Sequence, residues 1–278
     1  MPPRHRPEPA GPPGVALVRD ERGGVTITVD GLPQSHVQPD VPGLLVFEYV
    51  QHLALVLDAL PPGRLAVTHV GGAGLTLPRY LQLTRPGSPQ VVLEPDAALT
   101  ELVRRELPLP RGHRIRVRPV DGVTGIRGLA DGSADVVVLD AYQDGRVPAA
   151  LVGSAFLADV ARVLRSDGFA LLNVADAPGL RYLARVASTV RPVLPALSLV
   201  STHDVLKGRR FGNTVLVATR DRGRLAEIDL PRRAAACPFP TGVWGPDRLA
   251  RWVGTVRPFG PEGEPGPEPP PVTGWRAR

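Results

Sequence analysis

The residues best suited to chemistry are a glycine turn and an acid that follows it. One apolar run leads directly into Gly71, Gly72 and Gly74, and the next apolar run along the chain ends in Glu94. Glycines let a backbone approach a ligand closely, and an acid at the next strand tip accepts hydrogen bonds from ribose hydroxyls. The pattern predicts a site for a ribose or an adenosyl group.

Further acids follow two other predicted strands. Asp121 precedes Gly122, and it either accepts the adenine amino group or caps the next helix. Asp140 ends a strand, and the segment 140–148, which contains Asp144, is predicted to be a loop over the same crevice. Two carboxylates there predict that a cationic amine binds and loses a proton. For Asp144, a solvated loop acid is an equal alternative.

The elements that must position these acids alternate between strand and helix. Such alternation predicts a parallel sheet with helices on both faces. Two last strands have no room for a helix between them, so we expect an antiparallel hairpin at the sheet edge. That ending favours a methyltransferase-like fold over a nicotinamide-binding one. The predicted strands are 65–70, 90–94, 114–119, 135–140, 168–174, 197–203 and 213–219, and the predicted helices are 75–84, 95–106, 122–129, 149–165 and 178–191.

The fold class is therefore α/β. We expect a Rossmann-like methyltransferase fold with a mostly parallel seven-stranded sheet and an antiparallel C-terminal hairpin, plus a small N-terminal β-hairpin domain. Composition predicts a disordered tail at 1–14, the hairpin region and a helix at 15–62, and the adenosyl-binding domain at 63–220. The Pro/Arg-rich extension at 221–278 is expected to be partly disordered.

Composition argues against several other classes of function. The net charge is +6, but Lys207 is the only lysine and the arginines are spread along the whole chain, so we expect no nucleic-acid partner. The single cysteine, Cys237, excludes an intramolecular disulfide, and the histidines lack metal-ligand spacing, so we expect no metal. Neither a signal segment nor an apolar run of membrane-spanning length is visible, so we expect a cytoplasmic protein with no membrane partner.

Five stretches together resemble a known family. They are VDGLPQSH, FEY before a helix, HVGGAGLTLPRY, VVLEPD, and VDG followed by DVVVLDAYQDGRVP. The chain is similar over roughly residues 15–220 to the polyamine aminopropyltransferases, the spermidine synthase family. The resemblance implies transfer of an aminopropyl group from decarboxylated S-adenosylmethionine to a small amine, without a metal. It also implies a possible homodimer formed through the N-terminal region.

The resemblance also implies roles for individual residues. By motif position, Glu94 resembles the ribose ligand, and the glycine turn completes the cofactor site. Asp140 resembles the first acid of the family's catalytic pair. The remaining positions implied are Asp121 and Gly122 for adenine, and Gln34, Tyr49, Tyr142 and Gln143 for the substrate.

Two positions depart from the family pattern. Gly74 stands where the family has an aspartate that helps hold the cofactor's amine, and the second catalytic acid falls at Gln143. Asp144, one residue further, is then the candidate base beside Asp140. Two alternatives follow: a methyltransferase that uses intact S-adenosylmethionine, and a catalytically degenerate protein that binds an adenosyl group.

Overall fold

A computed structural model of the protein describes residues 12–72 and 74–270, and it contains two sheets. The strands are β1 Val15–Arg19, β2 Val25–Val29, β3 Leu32–Val37, β4 Val67–Val70, β5 Gln90–Leu93, β6 Ile115–Arg118, β7 Ala134–Leu139, β8 Leu164–Asp176, β9 Ala196–Thr202, β10 Gly212–Thr219 and β11 Thr241–Trp244. The helices are α1 Glu48–Ala59, α2 Thr76–Thr84, α3 Ala97–Glu106, α4 Gly122–Arg127, α5 Ser154–Val163, α6 Arg181–Val190, α7 His203–Leu206, α8 Arg222–Glu227, α9 Leu230–Ala234 and α10 Pro246–Val253.

The main sheet has the strand order β11-β9-β10-β8-β7-β4-β5-β6. Strands β4 to β8 are mutually parallel, whereas β10, β9 and β11 pair in antiparallel fashion. The strand order reverses at β4, which pairs with β5 on one side and with β7 on the other. The predicted α/β class with a mostly parallel sheet and an antiparallel ending is confirmed.

The number of strands differs from the prediction in both sheets. The predicted N-terminal hairpin is a three-stranded antiparallel sheet, because β3 pairs with β2 through a register shift between Ile27 and Thr28. The main sheet has eight strands within the described residues rather than seven, because β11 pairs with β9. The β9–β10 hairpin therefore does not lie at the edge. The sequence pattern did not predict these two strands, because β3 contains Pro33 and β11 has only four residues.

The core lies on both faces of the main sheet. In β7, Val136 and Val138 pack in one layer with α1, and Val137 and Leu139 pack in the other with α5 and α6. This alternation follows from the two-residue period of a strand. Helix α1 thus packs on the main sheet, although the sequence grouped it with the N-terminal hairpin region. Both layers support the strand ends that carry the predicted site.

Several arginines stabilise helix ends inside the fold. Arg85 is buried, and its guanidinium donates hydrogen bonds to four carbonyls at and after the end of α1, those of Leu57, Leu60, Pro61 and Gly63. Arg220 donates in the same way to Ala161 at the end of α5. Carbonyls in the last turn of a helix have no partner within the helix. Part of the basic composition is therefore structural.

The C-terminal extension packs against the domain as far as it is described. Leu249 and Val253 of α10 are buried in the core, and Phe259 is buried beneath the guanidinium of Arg185. Gly266 then donates its N–H to the carbonyl of Val147. Residues 221–270 of the extension are therefore part of the fold, and the partial disorder predicted within 221–278 stays a prediction. Of the predicted disordered tail at 1–14, residues 1–11 lie outside the described residues, as do 271–278.

None of the described helices is both long enough and apolar enough to cross a membrane.

Candidate active site

The predicted site residues meet at one edge of the main sheet. Gly71, Glu94 and Asp140 each follow directly on β4, β5 and β7. The hydrogen bonds between neighbouring strands extend to these residues. Gly71 donates its N–H to the carbonyl of Leu93, and Asp140 donates its N–H to the carbonyl of Val70. Ligands of open α/β sheets bind at this carboxyl edge, where the strand order reverses. The topology thus brings together groups that lie far apart in sequence.

The carboxylate of Glu94 lies against the glycine turn. Its Oε2 accepts the N–H of Gly72 at 3.2 Å, and its Oε1 accepts the N–H of Asp96 at 3.1 Å. These bonds hold a half-buried carboxylate at the tip of β5, beside the turn. The arrangement fits a nucleoside, because a fixed carboxylate next to a glycine turn can accept ribose hydroxyls.

The glycine turn passes directly over the backbone of Asp140. Gly71 has a φ of +87°, a conformation that other residues rarely adopt. A Cβ built on Gly71 would lie 2.2 Å from the carbonyl oxygen of Asp140. A glycine is therefore required here by both the backbone angle and the close contact. The contact fixes Asp140 beside the turn that is predicted to hold the nucleoside.

Gly74 faces the N-terminal sheet. A Cβ on Gly74 would lie 2.7 Å from Ile27 Cδ1 and from Ser35 Oγ, and 2.9 Å from Val37 Cγ2. The next residue, Leu75, is buried with a left-handed φ of 61°. An aspartate at position 74 does not fit this arrangement. The absence of the family's acid is thus matched by the close packing of β2 and β3 on the turn.

Asp121 and Gly122 both have structural roles at the end of β6. Asp121 is the N-cap of α4, and its Oδ1 accepts the N–H of Thr124 at 2.9 Å. That backbone hydrogen bond is the main cause of the lowered pKa of Asp121. A Cβ on Gly122 would lie 2.4 Å from Val70 Cγ1, so glycine lets α4 pack on β4. The capping alternative is therefore observed, and the adenine contact stays a prediction.

Asp140 belongs to a chain of polar side chains. Asn173, buried in β8, donates from its Nδ2 to Asp140 Oδ1 at 2.8 Å. Asn213 of β10 donates to Asn173 Oδ1 at 3.0 Å and to the hydroxyl of Tyr142 at 3.1 Å. The Tyr142 hydroxyl donates to the carbonyl of Asn173 at 3.1 Å. These hydrogen bonds fix the position of the Asp140 carboxyl group.

Burial changes the acidity of this cluster. Desolvation raises the pKa of Asp140 to about 6, and the hydrogen bond from Asn173 lowers it only in part. Burial also raises the pKa of Tyr49 and of Tyr142 well above the ordinary value, and the charge of Asp140 adds to both shifts. Both phenols are thus close enough to sense that carboxylate. A carboxylate with a pKa near 6 is a competent general base at neutral pH.

A cavity of about 670 Å³ lies between the N-terminal sheet, the start of α1 and the loop after β7. Three of the four residues predicted for the substrate line it: Gln34, Tyr49 and Tyr142. The fourth, Gln143, is exposed and is not part of the lining. The cavity therefore collects most of the predicted acceptor residues beside the Asp140 cluster.

The structure does not bring Asp144 to the cavity. Gln143 and Arg146 exchange two backbone hydrogen bonds of 2.9 Å, and between them Asp144 and Gly145 have φ values of 52° and 71°. This is a two-residue hairpin turn, for which Asp-Gly is a preferred sequence. Asp144 is exposed at its tip. The Asp-Gly pair was the sequence signal for this turn.

Sequence analysis missed several residues of the site. Asn173 carried a signal, because it is a polar residue inside an otherwise apolar strand. Phe47 and Arg210 also line the cavity, as do Pro269 and Pro270 of the C-terminal extension. The two prolines gave no signal, because only the fold brings the extension back to this edge. Among the described residues, no cluster of three or more acidic, histidine or cysteine side chains has the arrangement of a metal site.

Gly74→Ala is expected to lower the free energy of unfolding by about 1–3 kcal/mol, because its Cβ collides with the N-terminal sheet. Chemical denaturation measures the change. Gly260→Ala is the matched control, because a Cβ there meets no heavy atom within 4 Å and its φ is not positive. Equal effects of the two substitutions would contradict the packing described for Gly74.

Asp140→Asn is expected to stabilise the protein at pH 8 by about 1–3 kcal/mol, because it removes a desolvated charge and keeps an acceptor for Asn173. The folded state holds this proton more tightly than the unfolded chain. Wild-type stability is therefore expected to fall as the pH rises from about 4 to 6.

Urea unfolding of wild type and variant from pH 4 to 8 measures this difference, with Asp144→Asn at the exposed turn as control. The difference in unfolding free energy between Asp140→Asn and the wild type should disappear near pH 4. A difference in unfolding free energy that does not change with pH would show that the Asp140 carboxyl is solvated.

No protein-family model matches the chain. A curated polyamine aminopropyltransferase of Neisseria meningitidis serogroup A is 27% identical over 176 residues, which are 61% of this chain and 65% of the relative. The match therefore spans less than two thirds of that relative's length.

Two solved structures share the fold. A probable spermidine synthase from Corynebacterium glutamicum is 23% identical, with a TM-score of 0.81 over 94% of this chain and 95% of that chain. A spermidine synthase in complex with the transition-state analogue AdoDATO is 14% identical, with a TM-score of 0.58 over 86% of this chain and 80% of that one. The chain thus has the fold of the spermidine synthases, and its sequence is similar to that of a polyamine aminopropyltransferase.

Proposed function

We propose that the protein transfers an aminopropyl group from decarboxylated S-adenosylmethionine to a small primary amine. The carboxylate of Glu94 beside the glycine turn supports an adenosyl site. The cavity beside Asp140 supports an acceptor site. The similarity to a curated polyamine aminopropyltransferase and to spermidine synthase structures points to the same reaction.

One observation carries the proposal. Asp140 is a half-buried, desolvated carboxyl group whose backbone contacts Gly71, and its charge contributes to the raised pKa of Tyr49 and Tyr142, which line the cavity. An acceptor amine is an ammonium ion in water and must lose a proton before it attacks. A base held at the junction of the nucleoside and amine sites is what this transfer requires.

The roles of the chain's residues follow from this geometry. When bound, the co-substrate supplies a sulfonium that makes the adjacent propyl carbon electrophilic. Glu94 would hold its ribose, and Asp140 accepts a proton from the acceptor ammonium. The freed amine nitrogen then forms a bond to the propyl carbon as the carbon–sulfur bond breaks and its electron pair stays on sulfur. The products are the extended amine and methylthioadenosine.

The base in this proposal is Asp140 alone. The sequence pairs Asp140 with Asp144, but Asp144 is exposed at a turn tip, whereas Asp140 is linked through Asn173 to Asn213, which lines the cavity. Gln143 at the position of the family's second acid cannot accept a proton at neutral pH. The polar chain through Asn173 and Asn213 positions the carboxyl group of Asp140 instead.

Asp140→Asn is expected to lower the rate of methylthioadenosine release by at least about a hundredfold, because an amide cannot take the proton. Wild-type kcat/KM should fall as the pH drops below about 6, where Asp140 becomes protonated. Chromatographic detection of methylthioadenosine, with decarboxylated S-adenosylmethionine and a panel of amines, measures both effects. Asp144→Asn is the control and should retain activity. An inactive Asp144→Asn beside an active Asp140→Asn would contradict the assignment.

A methyltransferase is the second candidate, and one observation favours it. The space at Gly74 is filled by β2 and β3, so this turn has no acid there to hold the amine of an aminopropyl group. An acid at this place would repel the carboxylate that intact S-adenosylmethionine retains.

Titration calorimetry with the two forms of the co-substrate separates the candidates. The proposed transferase should bind the decarboxylated form at least about tenfold more tightly. Tighter binding of intact S-adenosylmethionine would favour methyl transfer and contradict the proposal.

A further inference from the structure

Within the proposed function, on which this inference rests, we infer that the acceptor is an amine with a single cationic centre and an apolar body, rather than a diamine. The inference comes from the chemistry of the cavity beside Asp140. Its wall is mainly apolar, and the one carboxylate among the described residues that line it is paired with an arginine. The cavity thus matches a monoamine in polarity and charge.

Most of the apolar part of the wall comes from four separate parts of the chain. Leu32 and Pro33 belong to β3, Phe47 precedes α1, and Phe211 precedes β10. The fourth part is the C-terminal extension, which contributes Pro269 and Pro270. A hydrocarbon chain or ring gains free energy on transfer from water to such a surface, whereas a second ammonium would lose its hydration.

The C-terminal part of this wall is held in place by several contacts. The N–H of Gly266 bonds the carbonyl of Val147 at 2.9 Å, and the Nε of Arg146 donates to the carbonyl of Gly266 at 2.7 Å. A Cβ on Gly145 would lie 2.7 Å from Pro269 Cγ, so the hairpin turn and the proline are in close contact. The proline wall is therefore part of the cavity rather than a loose end beside it.

Charge at the cavity opposes a second ammonium. Of the described residues that line the cavity, Glu48 is the one with a carboxylate. Its Oε2 accepts a hydrogen bond from Arg210 at 2.6 Å, and Arg210 also donates to Thr202 Oγ1 at 3.2 Å. Arg210 lines the same cavity, so the far end of a diamine would meet a guanidinium together with a neutralised acid.

Two acids near the cavity but outside its lining, Asp176 and Glu264, have partners within the fold. Asp176 is buried at the end of β8, where its carboxylate accepts the N–H groups of Ala177 and Leu183. Glu264 pairs with Arg185 at 2.5 Å. In the proposed reaction Asp140 receives one ammonium, the one that reacts. A monoamine needs no second carboxylate at this cavity.

The test compares n-butylamine with putrescine, which differ by one terminal amino group. Release of methylthioadenosine from decarboxylated S-adenosylmethionine is measured with the full chain, and n-butylamine is expected to have a kcat/KM at least about tenfold higher. Arg210→Gln frees the carboxylate of Glu48 and is expected to shift this preference at least about tenfold toward putrescine. Glu48→Gln is the matched control and should not produce that shift. Thermal unfolding checks that both variants fold.

A second variant tests the apolar wall. Replacing Pro269 and Pro270 together by serine should reduce kcat/KM for n-butylamine more than for putrescine. A wild-type enzyme that prefers putrescine, with no effect of Arg210→Gln on the preference, overturns the inference and leaves the proposed function standing. If neither amine gives methylthioadenosine, nor does any other amine of the panel, the proposed function falls and this inference with it.

Discussion

The desolvation of one carboxyl group, that of Asp140, is the constraint on which the site depends. Removing a carboxylate from water is costly unless other groups stabilise the charge. Here Asn173 stabilises it with one hydrogen bond, and Asn213 in turn fixes Asn173. The partial compensation leaves the pKa of Asp140 at about 6. The same partial desolvation that lowers stability at neutral pH makes the group a suitable base for an amine.

The surroundings of this carboxyl group are assembled from both ends of the chain. The N-terminal sheet packs on the glycine turn at Gly74, and the C-terminal extension reaches the cavity with Pro269 and Pro270. These two features affect different parts of the site. The first leaves no space for an acid at the glycine turn, and the second adds apolar surface at the acceptor cavity. Together they distinguish the proposed site from the pattern that the resemblance implies.

The sequence predicted the parallel part of the fold because its signals are local. Apolar runs that end in Gly71, Glu94 and Asp140 mark strand tips, and parallel strands place their carboxyl ends on one edge. The two missed strands lacked such signals. β3 contains Pro33, and β11 has only four residues and depends on its pairing with β9.

The site was only partly predictable for the same reason. Gln34, Tyr49 and Tyr142 were found by resemblance, and the structure places all three on one cavity. The burial of Asp140 and the capping role of Asp121 depend on neighbours that are distant in sequence or on the course of the backbone. For Asp144 the sequence left a base and a solvated loop acid as alternatives, and the exposed Asp-Gly hairpin turn agrees with the second.

The most direct test of this account is a crystal structure of the protein with methylthioadenosine and the preferred amine. We predict that the ribose hydroxyls lie within hydrogen-bond distance of the Glu94 carboxylate, and that the amine nitrogen lies within hydrogen-bond distance of an Asp140 carboxyl oxygen. A nucleoside bound elsewhere, or an amine nitrogen held by Asp144 and remote from Asp140, would contradict the account.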